Sequence, residues 1–125
     1  MAMKKILVVE DDLDLLEILE LKFSDAGFEV VKVETGQQAL DYLGRTRPDF
    51  VVLDIMLPDI DGLTVLNEIA TRPQTRDLPV IILSNVAEAG SFEQAAAIGQ
   101  YEYLVKAKTD LNDLVAKIKA RLGVR

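Results

Sequence analysis

The sequence predicts an α/β fold, a parallel sheet covered by helices on both faces. Three observations predict it. Short apolar runs alternate five times with stretches of helical spacing along 125 residues. The runs are apolar almost throughout, as in strands buried on both faces. Polar residues gather where the runs end, which in open α/β sheets is where ligands bind.

The first strand is expected over Lys5–Glu10 and stops in acid. Leu15, Leu16, Leu19, Phe23 and Ala26 then fall within one arc and predict a helix over Leu13–Ala26, stopped by Gly27. Phe28–Val33 is the second strand. Thr35 and Gln38 have the spacing of a capping box, and the short helix behind them buries Ala39, Leu40 and Leu43 before Gly44 and Pro48 end it. Phe50–Asp54 is a third strand, apolar until its last residue. Pro58, Asp59, Asp61 and Gly62 make a turn-rich loop, after which Leu63, Leu66, Ile69 and Ala70 mark a helix face. Arg72–Asp77 is a polar connector, and Val80–Ser84 is the fourth strand. A second capping box, Ser91 with Gln94, predicts a short helix over Glu93–Ile98. Tyr101–Lys106 is the fifth strand. The last helix starts near Thr109 or Asp110, buries Leu111, Leu114, Val115, Ile118 and Leu122, and ends at Gly123. One domain over residues 1–125 is expected, with its core at about 4–122 and no output domain in this chain.

Composition excludes several kinds of chemistry. There is no Cys and no His. Disulfides, thiolate or imidazole catalysis and Cys- or His-ligated metals are therefore out, and a metal here must be held by oxygen, as Mg²⁺, Mn²⁺ and Ca²⁺ are. A net charge of −7 with no Lys/Arg stripe argues against direct nucleic-acid binding. No secretory signal is expected, since the run after Lys4 is short and reaches acid at once. No run is long enough to span a membrane, so a cytoplasmic location is expected.

The strand ends carry the chemistry. The first ends in Glu10-Asp11-Asp12, the third in Asp54, the fourth in Ser84-Asn85 and the fifth in Lys106. If the first and third strands are adjacent, these groups converge. Carboxylates in one crevice repel each other unless a cation sits among them, and Mg²⁺ is the best fit. A nearby Lys and a hydroxyl suit a bound phosphoryl group.

The segments ILVVEDD, DFVVLDIMLPDIDG, PVIILS and YEYLVK resemble, in order and separation, the motifs of the response-regulator receiver family of two-component signalling. The similarity runs from about Lys4 to Leu122. The resemblance implies a doubly wound, flavodoxin-like three-layer fold with five parallel strands in the order 2-1-3-4-5. It implies that Asp54 is the phosphoacceptor and that Glu10, Asp11, Asp54 and the backbone carbonyl of Met56 hold Mg²⁺. It makes Ser84 and Lys106 the partners of the phosphoryl oxygens and pairs Ser84 with Tyr103 as the switch. The implied donor is a histidine kinase or histidine phosphotransfer protein. The implied output is docking of a downstream target protein on the face of the fourth helix, fifth strand and fifth helix. The chain would then be a switch that catalyses only its own phosphotransfer and dephosphorylation.

Two positions depart from the family pattern. Ala107 follows Lys106 where the family usually has a cis proline. A non-proline cis bond costs about 2.5–4 kcal/mol, so a trans bond is expected. Asn85 stands where a small residue is common. Plainer readings hold for the rest: Asp12 as a helix cap, Asp59 and Asp61 as turn formers, Tyr101 as a half-buried strand residue, Ala95–Ala97 as tight packing. Three other functions compete. A Mg²⁺-dependent aspartyl-phosphate phosphohydrolase usually has a second Asp two residues after its nucleophile, where this chain has Met56. A flavin-binding module needs a Ser/Thr/Gly-rich loop where this chain has EDDLD. A degenerate receiver would serve only as a protein-binding module.

Overall fold

The computed structural model describes residues 3–85 and 89–124, and the side chains of residues 89–91 lie outside that description. The strands are β1 (Lys5–Val9), β2 (Glu29–Val33), β3 (Phe50–Leu53), β4 (Val80–Ser84) and β5 (Glu102–Val105). The helices are α1 (Leu13–Asp25), α2 (Gly36–Leu43), α3 (Gly62–Thr71), α4 (Ala89–Ile98) and α5 (Leu111–Leu122), with a 3₁₀ turn at Lys106–Lys108. All strand pairs are parallel, in the order β2-β1-β3-β4-β5.

The apolar runs are explained by two cores. In β1, Ile6 and Val8 face one core, while Leu7 and Val9 face the other. In β3, Phe50 and Val52 join the first, Val51 and Leu53 the second. Leu16, Leu19 and Phe23 of α1 with Leu114 and Ile118 of α5 close one face. Ala39 and Leu43 of α2, Val65, Leu66 and Ile69 of α3, and Ala95 of α4 close the other. A parallel strand needs a crossover, and a helix supplies it. No helix among the described residues is long and apolar enough to cross a membrane.

Helix ends follow local chemistry. Asp12 caps α1, its side chain accepting from the N–H of Asp14 and Leu15. Gly27 and Gly123 take positive φ, 95° and 67°, just past α1 and α5, where an L side chain would strain the backbone. Thr35 caps α2 by accepting from Gln38 N–H at 3.1 Å. The return bond of a capping box is displaced by one residue, because Gln38 Oε1 accepts from Glu34 N–H instead.

Several boundaries differ from the sequence reading. Glu10, Asp54 and Lys106 each lie just past their strand rather than in it. Helix α4 begins at Ala89, a turn earlier than Glu93. Ser91 therefore sits inside the helix rather than at its cap, and its side chain lies outside the described residues. Val65 is fully buried on α3, while Leu63 and Ala70 are only half-buried. Leu40 is also half-buried.

Candidate phosphoacceptor and metal site

The register sets the strand ends level. Val9 pairs with Leu53, Leu53 with Ile82, and Ser84 with Val105. Asp54 N–H still donates to Val9 O at 3.1 Å. The residues that follow each strand therefore open into one crevice.

Asp54 lies at its centre, 4% exposed. Its Oδ1 accepts from Ser84 Oγ at 2.8 Å and from Met56 N–H at 3.0 Å. Its Oδ2 faces Lys106 Nζ at 2.6 Å. The same ammonium sits 2.6 Å from Glu10 Oε1. Glu10 Oε2 accepts from Asp12 N–H at 3.0 Å. Lys106 thus bridges the acids that follow β1 and β3. The Lys106–Ala107 bond is trans, as no described peptide bond is cis. Lys106 reaches Asp54 from the start of the 3₁₀ turn.

Burial dominates the electrostatics. It pushes the Glu10 carboxyl up to about 7, and the hydrogen bond from Lys106 and the Asp12 N–H offset only part of that. Burial also works against the Lys106 ammonium, but Asp54 and Glu10 outweigh it and hold its pKa above the usual value. Carboxylate oxygens of Glu10, Asp11 and Asp54 lie within 4.8 Å of one another. Asp11 is exposed, so one side of the cluster opens to solvent. Three carboxyl groups against one ammonium leave an excess of oxygen donors and of negative charge. That donor set fits a hard divalent cation that keeps some of its waters.

Tyr103 lies half-buried on β5, beside the site. A hydrogen bond with Ser84 pulls its phenol pKa down, against burial and the Asp54 charge, which raise it more. Its ring meets Phe92 of α4 at 5.7 Å between centroids, tilted 52°. The Tyr103 phenol thus already touches the Ser84 hydroxyl. Asn85 is exposed at a bend directly after Ser84.

One contact was missed in the sequence. Asp59, read there as a turn former, accepts from Gly36 N–H and Gln37 N–H, each at 2.9 Å. These amides, Gln37 first, hold its carboxyl below the usual range despite some opposing desolvation. Asp61 is also a cap, accepting from Leu63 N–H at the start of α3. For Asp59 the available signal was a helix with no acid in its own first turn. The partner that fills this role lies 23 residues away.

The response regulator receiver domain model matches residues 6–119. The transcriptional regulatory protein PrrA of Mycobacterium leprae is 40% identical over 121 residues, 97% of this chain and 51% of the relative. The chain thus spans about half the length of the curated relatives it matches. The receiver domain of a sensor histidine kinase from Pseudomonas aeruginosa PAO1, solved with magnesium in its active site cleft, is 30% identical. Its TM-score is 0.87, covering 98% of this chain and 99% of that one. The phosphorylated cyanobacterial phytochrome response regulator RcpA is 28% identical with a TM-score of 0.81, covering 96% and 91%. With that match along nearly its whole length, and acid, hydroxyl and ammonium gathered at the strand ends, the chain belongs to the response regulator receiver family of two-component signalling.

Proposed function

We propose that Asp54 is the phosphoacceptor of this receiver domain and that Glu10, Asp11, Asp54 and the Met56 carbonyl hold Mg²⁺. The observation that carries this reading is Lys106 Nζ, 2.6 Å from both Glu10 and Asp54, with Ser84 on the other Asp54 oxygen. Mg²⁺, when bound, supplies charge neutralisation on the transferring phosphoryl group. The chain's own residues do the rest. An Asp54 carboxylate oxygen attacks phosphorus as the P–N bond of a donor phosphohistidine breaks. The electron pair leaves with the imidazole, and an acyl phosphate forms. Lys106 exchanges its Asp54 carboxylate for a phosphoryl oxygen. Ser84 Oγ, released from Asp54 Oδ1, donates to another. A sensor histidine kinase or histidine phosphotransfer protein is the donor on this reading.

The same movement links the site to the surface. Ser84 touches Tyr103, and the Tyr103 ring makes a tilted contact with Phe92 of α4. Drawing Ser84 toward the phosphoryl group breaks up this contact set and shifts the α4–β5–α5 face toward a form that binds a downstream target protein. A cytoplasmic location goes with this reading.

The test is incubation with acetyl phosphate, with and without Mg²⁺, read by intact mass. A single phosphoryl adduct that requires Mg²⁺ is expected. No adduct with donor and Mg²⁺ both in excess would leave only a protein-binding role. Asn85 is exposed directly after Ser84, and we take its amide to orient the water that hydrolyses the adduct. Asn85→Ala is expected to lengthen the phosphoryl lifetime severalfold in a dephosphorylation time course. Equal rates for the two proteins refute that role.

A further inference from the structure

We propose that Asp59 is a positioning residue for metal binding: by clamping the β3–α3 loop to the N-terminus of α2, it fixes the Met56 carbonyl. The inference rests on the proposed Mg²⁺ site and adds to it a residue outside the acid cluster.

Helix α2 begins with amides that need acceptors. Gln38 N–H goes to Thr35 Oγ1 and Ala39 N–H to Thr35 O, both at 3.1 Å. Gly36 and Gln37 are left, and Asp59 takes both, one on each carboxylate oxygen. The two ends of this clamp are pressed together. A Cβ at Gly36 would stand 3.0 Å from Ile60 Cβ and 3.3 Å from Ile60 O. A side chain at position 36 would press the loop away from the helix start by a few tenths of an ångström.

Hydrogen bonds fix the loop at three places, and Leu57 and Ile60 rest against the core between them. Met56 N–H donates to Asp54 Oδ1 at one end. Ile55 O accepts from Leu57 N–H at 3.1 Å and from Gly62 N–H at 2.8 Å, closing its base. Asp59 pins its far side. Met56 itself is 63% exposed, so packing does not hold it. The direction of its carbonyl is set by the hydrogen bonds around it. Releasing Asp59 removes the hydrogen-bonded tie on the far side of the loop and leaves only the packing of Leu57 and Ile60 there, which loosens the exposed Met56 carbonyl.

The test is a Mg²⁺ titration of the full chain followed by amide NMR shifts, for wild type, Asp59→Ala, Asp59→Asn and Thr35→Ala. Asp59→Ala is expected to raise the Mg²⁺ midpoint roughly tenfold, the lower end of what loss of outer-shell support costs. Asp59→Asn keeps one acceptor oxygen and is expected to fall between. Thr35→Ala removes a cap from the same helix but leaves the loop tethered. It is expected to lower the thermal midpoint and leave the Mg²⁺ midpoint unchanged. A wild-type midpoint in Asp59→Ala overturns the inference, as does an equal shift in Thr35→Ala. If Asp59→Ala does not fold, an unshifted Asp59→Asn overturns it. A wild-type chain that shows no Mg²⁺ shifts around Asp11 and Asp54 sinks the parent reading instead, so the two failures are distinguishable.

Discussion

Asp54→Asn is expected to fold and to take up no phosphoryl group from acetyl phosphate and Mg²⁺, giving an intact mass equal to that of a control without donor. The amide keeps the shape of the carboxylate but not its chemistry. Its oxygen must take the Oδ1 position, where Met56 N–H and Ser84 Oγ both donate. Its NH₂ then falls where Oδ2 met Lys106 Nζ at 2.6 Å. Two donors face each other there, so Lys106 turns wholly to Glu10, already 2.6 Å away. On the proposed reading the site loses its nucleophile, and the phosphoryl group has no second acceptor of the same kind, because Glu10 is engaged by Lys106 and Asp12 N–H. Asp11 is free of that network but exposed at the rim. Full labelling of Asp54→Asn would mean another carboxylate accepts the group, and the assignment of Asp54 would fall.

Much of this architecture was legible because two periodicities agreed. Strand residues alternate between two cores, so a strand buried on both faces shows as an unbroken apolar run. Polar side chains at the ends of such runs then stand out. Glu10, Asp54, Ser84 and Lys106 could each be read as ordinary alone, and only a level sheet edge gives them a common meaning. The parallel register supplies that edge.

What was not legible depends on chain crossing space rather than on spacing. The start of α4 was misplaced because Ser91 and Gln94 imitate a capping box, while the helix had already begun at Ala89. The link from Phe92 through Tyr103 to Ser84 joins three elements and leaves no pattern in any one of them. Asp59 is the clearest case. Asp is common in turns for its own local hydrogen bonds, and nothing near it indicates that its acceptors serve a helix 23 residues earlier.

Gly62 shows the same limit from the side of stability, and Gly62→Ala is expected to be the most damaging glycine-to-alanine change among the described residues. In the sequence this glycine reads as a turn former. In the fold it is fully buried as the first residue of α3, and its φ is not positive. The constraint is space. An added Cβ would lie 2.4 Å from Asp54 O, 2.5 Å from Ile55 Cα and 2.9 Å from Ile55 O. All three are backbone atoms, so no side chain can rotate away. Either α3 withdraws or the end of β3 shifts, and both break the 2.8 Å bond from Gly62 N–H to Ile55 O. Overpacking of this kind costs about 1–3 kcal/mol and sometimes more, and here the strain passes directly into Asp54, the proposed phosphoacceptor. Gly62→Ala should therefore lower the urea midpoint and also slow labelling of the fraction that remains folded. Gly44→Ala is the matched control. Its Cβ would meet nothing closer than Leu40 O at 3.4 Å, and its backbone is already right-handed, so a change within about 1 kcal/mol is expected. A Gly62→Ala protein as stable and as readily labelled as Gly44→Ala would show that the β3–α3 junction yields freely, and that close backbone approach is not what holds Asp54 in place.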